Sequence, residues 1–124
     1  MTIKVLAIDD SRTIRALVRR VMEDAGFSCV LASDGVQGVA RFSEDPPDVV
    51  ITDINMPNMD GYAVIHSIRG GGVNSDVPIL VLTTESAPHL KARAREAGAT
   101  GWIVKPFDDA AIISVVRRVT GARL

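Results

Sequence analysis

Five short apolar runs, rich in β-branched residues, recur along this 124-residue chain with enough sequence between consecutive runs for a helix. Most positions within a run are apolar, which is typical of strands covered on both faces and not of strands with one face in water. The runs are IKVLAI (3–8), SCVLAS (28–33), DVVITDI (48–54), VPILVLTT (77–84) and GWIVKP (101–106). We therefore expect five buried strands, which need a covering layer on each side.

The segments between the runs have the periodicity of amphipathic helices. In the first segment, apolar residues repeat at i, i+3, i+4, i+7 and i+8: Ile14, Leu17, Val18, Val21 and Met22. Gly26 ends this helix, and the others are expected at 34–44, 60–69, 87–99 and 108–119, with GGG at 70–72 ending the third. A helix after every strand predicts an α/β fold, a doubly wound five-stranded parallel sheet built from right-handed crossovers.

The composition argues against several classes of function. Fourteen Lys and Arg residues against fifteen Asp and Glu residues give a net charge of −1, so no basic field supports nucleic-acid binding. Cys29 is the single cysteine, which favours the reducing cytoplasm, and no apolar run approaches the ~18 residues of a membrane span. We expect one soluble, cytoplasmic domain over residues 1–124, with GARL (121–124) after the last helix leaving no room for an output domain.

Polar residues follow four of the five strands at the point where each strand ends. They are Asp9 and Asp10, Asp53, Thr83 and Thr84, and Lys105 and Pro106. The carboxyl ends of parallel strands meet at one edge of the sheet, where ligands of such folds bind. Three carboxylates at one edge suit Mg²⁺, and a divalent cation would offset the repulsion between the adjacent aspartates.

Each residue of this set also has an ordinary structural interpretation when it is taken alone. Asp10 is a good helix cap, Asp53 precedes a turn, Thr83 is a β-branched residue at a strand end, and Lys105 can reach water. An unpaired carboxylate after the apolar third strand would nevertheless be costly. The joint occurrence of all four at one edge therefore indicates a functional site.

Four ordered motifs over essentially the whole chain resemble the receiver domains of two-component response regulators. They are AIDDSRTIR after the first strand, ITDINMPNMDG around the third, LTTES after the fourth and GATGWIVKPF around the fifth. The resemblance implies a flavodoxin-like, CheY-like (βα)5 sheet with strand order 2-1-3-4-5. Without an output domain, the chain is most similar to the single-domain, chemotaxis-type regulators.

The resemblance also implies the chemistry of the site. Asp53 would accept a phosphoryl group from a phosphohistidine on a histidine kinase. Asp10, Asp53 and the backbone carbonyl of Asn55 would bind Mg²⁺, with Asp9 acting through water. Lys105 would pair first with the carboxylate and then with the phosphoryl oxygens. A metal and an ammonium supply the charge neutralisation that phosphoryl transfer needs.

Further positions of the resemblance concern switching and the lifetime of the phosphorylated state. Thr83 would donate its hydroxyl to the phosphoryl group, and Trp102 occupies an aromatic position whose rotamer follows that motion. Many relatives have tyrosine there, so the bulkier tryptophan bears on how far the ring turns inward. Asn55 and Glu85 would tune the loss of the phosphoryl group to water, and the peptide bond before Pro106 is expected to be cis.

The function implied is that of a stand-alone, monomeric response regulator that catalyses only its own phosphorylation and dephosphorylation. Phosphorylation would switch the surface of the fourth helix, fifth strand and fifth helix, roughly residues 87–119, where Lys91, Arg93 and Arg95 favour an acidic partner. Implied partners are a histidine kinase, a target such as a flagellar motor switch component, and a phosphatase; a phosphate sink or a relay intermediate is the alternative. The sequence assigns no role to Gly70–Gly72.

Two other classes of function are testable. A Mg²⁺-dependent aspartyl phosphohydrolase would need an acid two residues beyond Asp9, where Ser11 stands, and a cap region for its substrate. A flavin-binding electron carrier would need a first loop that cradles phosphate, whereas the DDSRT loop is acidic.

Overall fold

The computed structural model describes residues 2–121, which form five strands and five helices in strict alternation. The strands are β1 (Lys4–Ile8), β2 (Ser28–Ala32), β3 (Val49–Thr52), β4 (Ile79–Thr83) and β5 (Gly101–Val104). The helices are α1 (Arg12–Asp24), α2 (Gly35–Glu44), α3 (Gly61–Gly70), α4 (Pro88–Ala97) and α5 (Asp109–Gly121). Residues 122–124, which were part of the expectation about an output domain, lie outside the described residues.

All five strands are parallel and lie in the order β2-β1-β3-β4-β5, as predicted. The central pairing is in register from Val5 opposite Val49 to Ile8 opposite Thr52. Because β1 and β3 are neighbours, the residues that follow them, Asp9 and Asp53, emerge side by side at the carboxyl edge. The crossing order thus brings together residues that are distant in the sequence.

Helices cover the sheet on both faces, and each face has its own apolar core. Residues of α2, α3 and α4 pack on one face with the side chains of Leu6, Val50 and Val81. Residues of α1 and α5 pack on the other, against a set that includes Val5 and Ile51. Alternate residues of a strand therefore enter opposite cores, which explains why the strand sequences are apolar at nearly every position.

The helix boundaries differ from the predicted ones by one to three residues. The third helix includes Gly70 and is capped by Gly71, so only Gly72, with φ +87°, adopts a left-handed backbone there. The fourth helix ends at Ala97, because Gly98 is left-handed with φ +114°. No helix among residues 2–121 is both long enough and apolar enough to cross a membrane.

Candidate acidic site at the carboxyl edge of the sheet

Asp9 and Asp10 follow β1 directly but have different surroundings. Asp9 is 5% exposed, and its backbone continues the sheet through a hydrogen bond from its N–H to the carbonyl of Ala32. Its Oδ1 accepts the backbone N–H of Ser11 at 2.9 Å, and its carbonyl accepts Arg15 Nη1 at 2.7 Å. Asp10 is exposed, so the acidic pair offers one fixed carboxylate and one that faces solvent.

Asp53 follows β3 and is held by contacts on both sides. Its N–H donates to the carbonyl of Ile8 at 3.0 Å, and its Oδ1 accepts the N–H of Ile54 at 2.6 Å. A Cβ on Gly61 would overlap the Asp53 carbonyl oxygen, so α3 can begin this close to Asp53 only with glycine there. The side chain is therefore buried and tightly positioned.

Lys105 follows β5 and joins the two buried carboxylates. Its Nζ lies 2.7 Å from Asp9 Oδ2 and 2.8 Å from Asp53 Oδ2. Its backbone N–H donates to the carbonyl of Thr83 at 2.8 Å, and the bond to Pro106 is cis. Burial alone would lower the pKa of Lys105, but its hydrogen bonds to the two carboxylates outweigh this and raise the pKa, so the ammonium is charged at neutral pH.

The three carboxylates form a compact oxygen-rich cluster. One oxygen each of Asp9, Asp10 and Asp53 lies within 4.8 Å of the others. Burial raises the pKa of Asp9, although Lys105 and the Ser11 N–H oppose the shift. Three carboxylates and one ammonium leave two negative charges uncompensated when all are ionised, which is the balance that a divalent cation would neutralise.

Glu85 is the point where the remaining predicted residues meet. Its N–H donates to Thr83 Oγ1 at 3.3 Å, and its Oε1 accepts Asn55 Nδ2 at 3.3 Å. Its carbonyl accepts the indole Nε1–H of Trp102 at 3.0 Å. Thr83 is fully buried and Trp102 half-buried, so the β4–α4 loop connects the site to the β5 surface.

The sequence did not predict two polar contacts that hold α4. The Tyr62 hydroxyl donates to the carbonyl of Leu90 at 3.2 Å, and the Arg93 guanidinium lies 3.8 Å from the centroid of the Tyr62 ring. Arg69 Nε and Nη2 donate to the carbonyl of Gly98 at 3.0 and 2.8 Å. α4 is therefore fastened to α3 near both ends, in addition to its few apolar contacts. Tyr62 at the apolar start of α3 is the one sequence signal that could have indicated this.

Residues 5–117 match the response regulator receiver domain family, and the chain belongs to that family. It is 37% identical over 107 residues to the response regulator MprA of Mycobacterium tuberculosis, a match that covers 86% of this chain and 46% of that protein. The chain therefore spans about half the length of the curated relatives that it matches.

Solved structures give the same result for the fold. The chemotaxis protein CheY4 of Vibrio cholerae is 39% identical with a TM-score of 0.91, and the match covers 96% of this chain and 99% of that one. The signal receiver domain of a histidine kinase from Syntrophus aciditrophicus is 31% identical with a TM-score of 0.88, covering 96% and 90% of the two chains. Receiver domains take phosphoryl groups from histidine kinases and act on downstream targets, so the resemblance of the motifs is confirmed at the level of the family.

Proposed function

We propose that Asp53 is the phosphoacceptor of this receiver domain and that its phosphorylation depends on Mg²⁺. The observation that carries the proposal is the position of Asp53, between the Lys105 ammonium and the two adjacent aspartates. One side of the carboxylate thus faces a fixed cation and the other an anionic pocket.

In the proposed reaction a carboxylate oxygen of Asp53 forms a bond to phosphorus, and the bond from phosphorus to the donor histidine nitrogen breaks. Lys105 holds the carboxylate in place and stabilises negative charge on the transferring group. Thr83 lies at the end of the neighbouring strand, where its hydroxyl can donate to a phosphoryl oxygen after releasing the Glu85 N–H.

The residues at this edge fit Mg²⁺. The donor set is made of carboxylate oxygens, the ligands that this hard cation prefers, and exposed Asp10 leaves room for water and phosphate. We assign direct binding to Asp10, Asp53 and the Asn55 carbonyl, with Asp9 acting through water. Bound Mg²⁺ would supply charge neutralisation beside the phosphoryl group.

Acetyl phosphate tests the assignment without a kinase. We expect acetyl phosphate with Mg²⁺ to add one phosphoryl group, seen by mass spectrometry of the intact protein, and Asp53→Asn to abolish it. Asp24→Asn, at the exposed end of α1, is the matched control and should label normally. Undiminished labelling of Asp53→Asn would falsify the assignment.

Thermal melts test the metal. Mg²⁺ should raise the melting temperature by mass action, since it binds the folded cluster and not the unfolded chain. Asp10→Ala should lose this gain and should raise the metal-free stability by relieving repulsion with Asp9 and Asp53. An Asp10→Ala protein that gains as much from Mg²⁺ as the wild type would contradict the ligand assignment.

We further propose that the switched surface comprises α4, β5 and α5. Trp102 is suited to report the switch because its indole N–H is bonded to the loop that also holds Thr83. Beryllofluoride with Mg²⁺ mimics a phosphoryl group and should change the fluorescence of Trp102, the single tryptophan. Thr83→Ala should bind the mimic and lose much of the change. Hydrogen exchange altered only in α1 and α2 would rule out this output surface.

The biological role proposed is chemotaxis, with a flagellar motor switch component as target. The support is the likeness to CheY4, which is titled a chemotaxis protein and is covered over 99% of its length. The MprA relatives, matched over 46% of their length, favour a second candidate, a receiver unit that controls a further part of a longer regulator. Binding of a motor switch component only in the presence of beryllofluoride would support chemotaxis, and no such binding would favour the second candidate.

A further inference from the structure

The loop between β3 and α3, residues 53–60, is fastened at its tip to a different helix. Asn58 Nδ2 donates a hydrogen bond of 2.7 Å to Asp34 Oδ2. Asp34 is the N-cap of α2, and its Oδ1 accepts the backbone N–H of Gln37 at 2.8 Å. A single carboxylate therefore caps a helix with one oxygen and holds the loop with the other.

We propose that Asp34 is a positioning residue for the metal site, which acts through Asn58 by fixing the loop that presents Asn55. The inference rests on the proposed function, since it assigns a purpose to the loop that carries a proposed Mg²⁺ ligand. Asp34 is not a member of the acidic cluster itself, so its effect would be transmitted through the loop.

The loop needs such an attachment because burial alone does not hold it. Asn55, Pro57 and Asn58 are exposed, and Met56 and Met59 are only half-buried. Asn58 has φ 68°, a left-handed conformation that asparagine tolerates better than most residues. A side-chain hydrogen bond to a helix end restricts this turn, which neither a helix nor a strand stabilises.

A second contact joins the same two segments. A Cβ added to Gly35, the first residue of α2, would lie 2.8 Å from Met59 Cβ and would overlap the Met59 carbonyl oxygen. The start of α2 therefore packs directly on the loop, next to the hydrogen bond of Asp34. The two contacts together fix the distance between α2 and the loop tip.

The other end of the loop is fixed next to the phosphoacceptor. Ile54 accepts the N–H of Gly61 at 2.9 Å, and Asp60 caps α3 through the N–H of Ala63 at 2.9 Å. Asn55 lies between this fixed end and the Asn58 attachment. Releasing Asn58 therefore frees the stretch that includes Asn55, while Asp53 stays bound to β1 and Lys105.

Exchanging the two side chains tests the proposal. Asp34→Asn keeps an oxygen for the helix cap but has no second oxygen for Asn58. Asn58→Asp places a second carboxylate against Asp34 and keeps a residue type that tolerates the left-handed turn. In the double variant the new amide at position 34 can donate to the new carboxylate at position 58, so the attachment is restored with donor and acceptor reversed.

Isothermal titration calorimetry with MgCl₂ is the main measurement, and the Mg²⁺ dependence of labelling by acetyl phosphate is the second. We expect each single substitution to weaken Mg²⁺ binding by about three- to tenfold, at or below the low end for groups behind a metal ligand. The double variant should recover most of the loss. Labelling at saturating Mg²⁺ should change little, because Asp53 and Lys105 are untouched.

Charge and stability predict different results. If Asp34 acted only through its charge, Asn58→Asp would add a negative charge and tighten Mg²⁺ binding. If it only stabilised the fold, melts without Mg²⁺ would shift while the Mg²⁺ affinity stayed at the wild-type value. Either result, or a double variant weaker than both single variants, overturns the proposal. A wild-type protein that binds no Mg²⁺ would instead refute the proposed metal site, and this inference with it.

Discussion

Replacing Lys105 by methionine removes one ammonium and keeps a side chain of similar length. The side chain of Lys105 is 10% exposed, and those of its partners Asp9 and Asp53 are 7% and 11% exposed. The substitution leaves these two carboxylates facing each other next to Asp10, with no cation among them. The folded protein without Mg²⁺ should therefore be destabilised.

The size of the effect follows from the burial of the three groups. Removing one partner of a buried ion pair costs about 3–5 kcal/mol, most of it from the charge left behind. Because Asp10 is exposed and water reaches that side of the cluster, we expect the lower end, about 3 kcal/mol at pH 7.5. For a chain of this length that corresponds to a fall of roughly 10 °C in melting temperature.

The loss should depend on pH in a defined direction. Burial raises the pKa of Asp9 even with Lys105 present, and the pKa should rise further without it. A carboxyl group with a raised pKa in the folded state stabilises the fold at low pH, and this contribution is lost as pH rises through the folded-state pKa. The stability gap between Lys105→Met and the wild type should therefore narrow as the pH falls from 7.5 to 5.

Urea unfolding in EDTA, followed by Trp102 fluorescence, measures both effects. Lys91→Met is the control, because Lys91 is an exposed residue of α4 and its loss changes the net charge equally. The control should shift by less than about 0.5 kcal/mol, as surface substitutions do. A Lys105→Met protein with wild-type stability at pH 7.5, or a gap that does not change with pH, would refute the reasoning.

Two further predictions concern burial and space elsewhere in the fold. Cys29 is 6% exposed and burial raises its thiol pKa to about 11, so a thiol reagent at pH 8 should label the native protein far more slowly than the protein in urea; equal rates would contradict this. Gly70→Ala should stabilise α3 by about 0.5–1 kcal/mol, since nothing lies within 4 Å of the added Cβ. Gly35→Ala should cost about 1–3 kcal/mol by overlap with Met59, and urea midpoints that rank these two variants the other way would show that the contacts are misjudged.

The sequence predicted the fold and the location of the site for a specific physical reason. Parallel strands covered on both faces require apolar residues throughout, so the strands and their ends are visible in the sequence. Polar residues at those ends must meet at one edge, which is how Asp9, Asp53 and Lys105 come into contact although up to 96 residues separate them. The side chains of this group needed no knowledge of loop conformation.

The contacts of the loops could not be predicted in the same way. Asn58 reaches Asp34 only because its backbone is left-handed, and Trp102 reaches Glu85 only because the β4–α4 loop presents a carbonyl to it. Each depends on a few dihedral angles that no periodic pattern encodes. For the same reason, the sequence could not determine which of the two adjacent aspartates would be buried against Lys105.

This difference in predictability corresponds to a difference in how the residues are held. The backbone N–H groups of Asp9 and Asp53 continue the pairing of the sheet, whereas Asn55 and Glu85 lie on loops and meet through one hydrogen bond of 3.3 Å. Phosphoryl chemistry needs fixed charges, which the ends of central strands provide because moving them would break the sheet. A response to phosphorylation needs parts that move at low energetic cost, and weak polar contacts of loops such as that from Glu85 to Thr83 meet this requirement. The fold can therefore support both because the strand ends and the loops that follow them are neighbours in sequence but are stabilised independently.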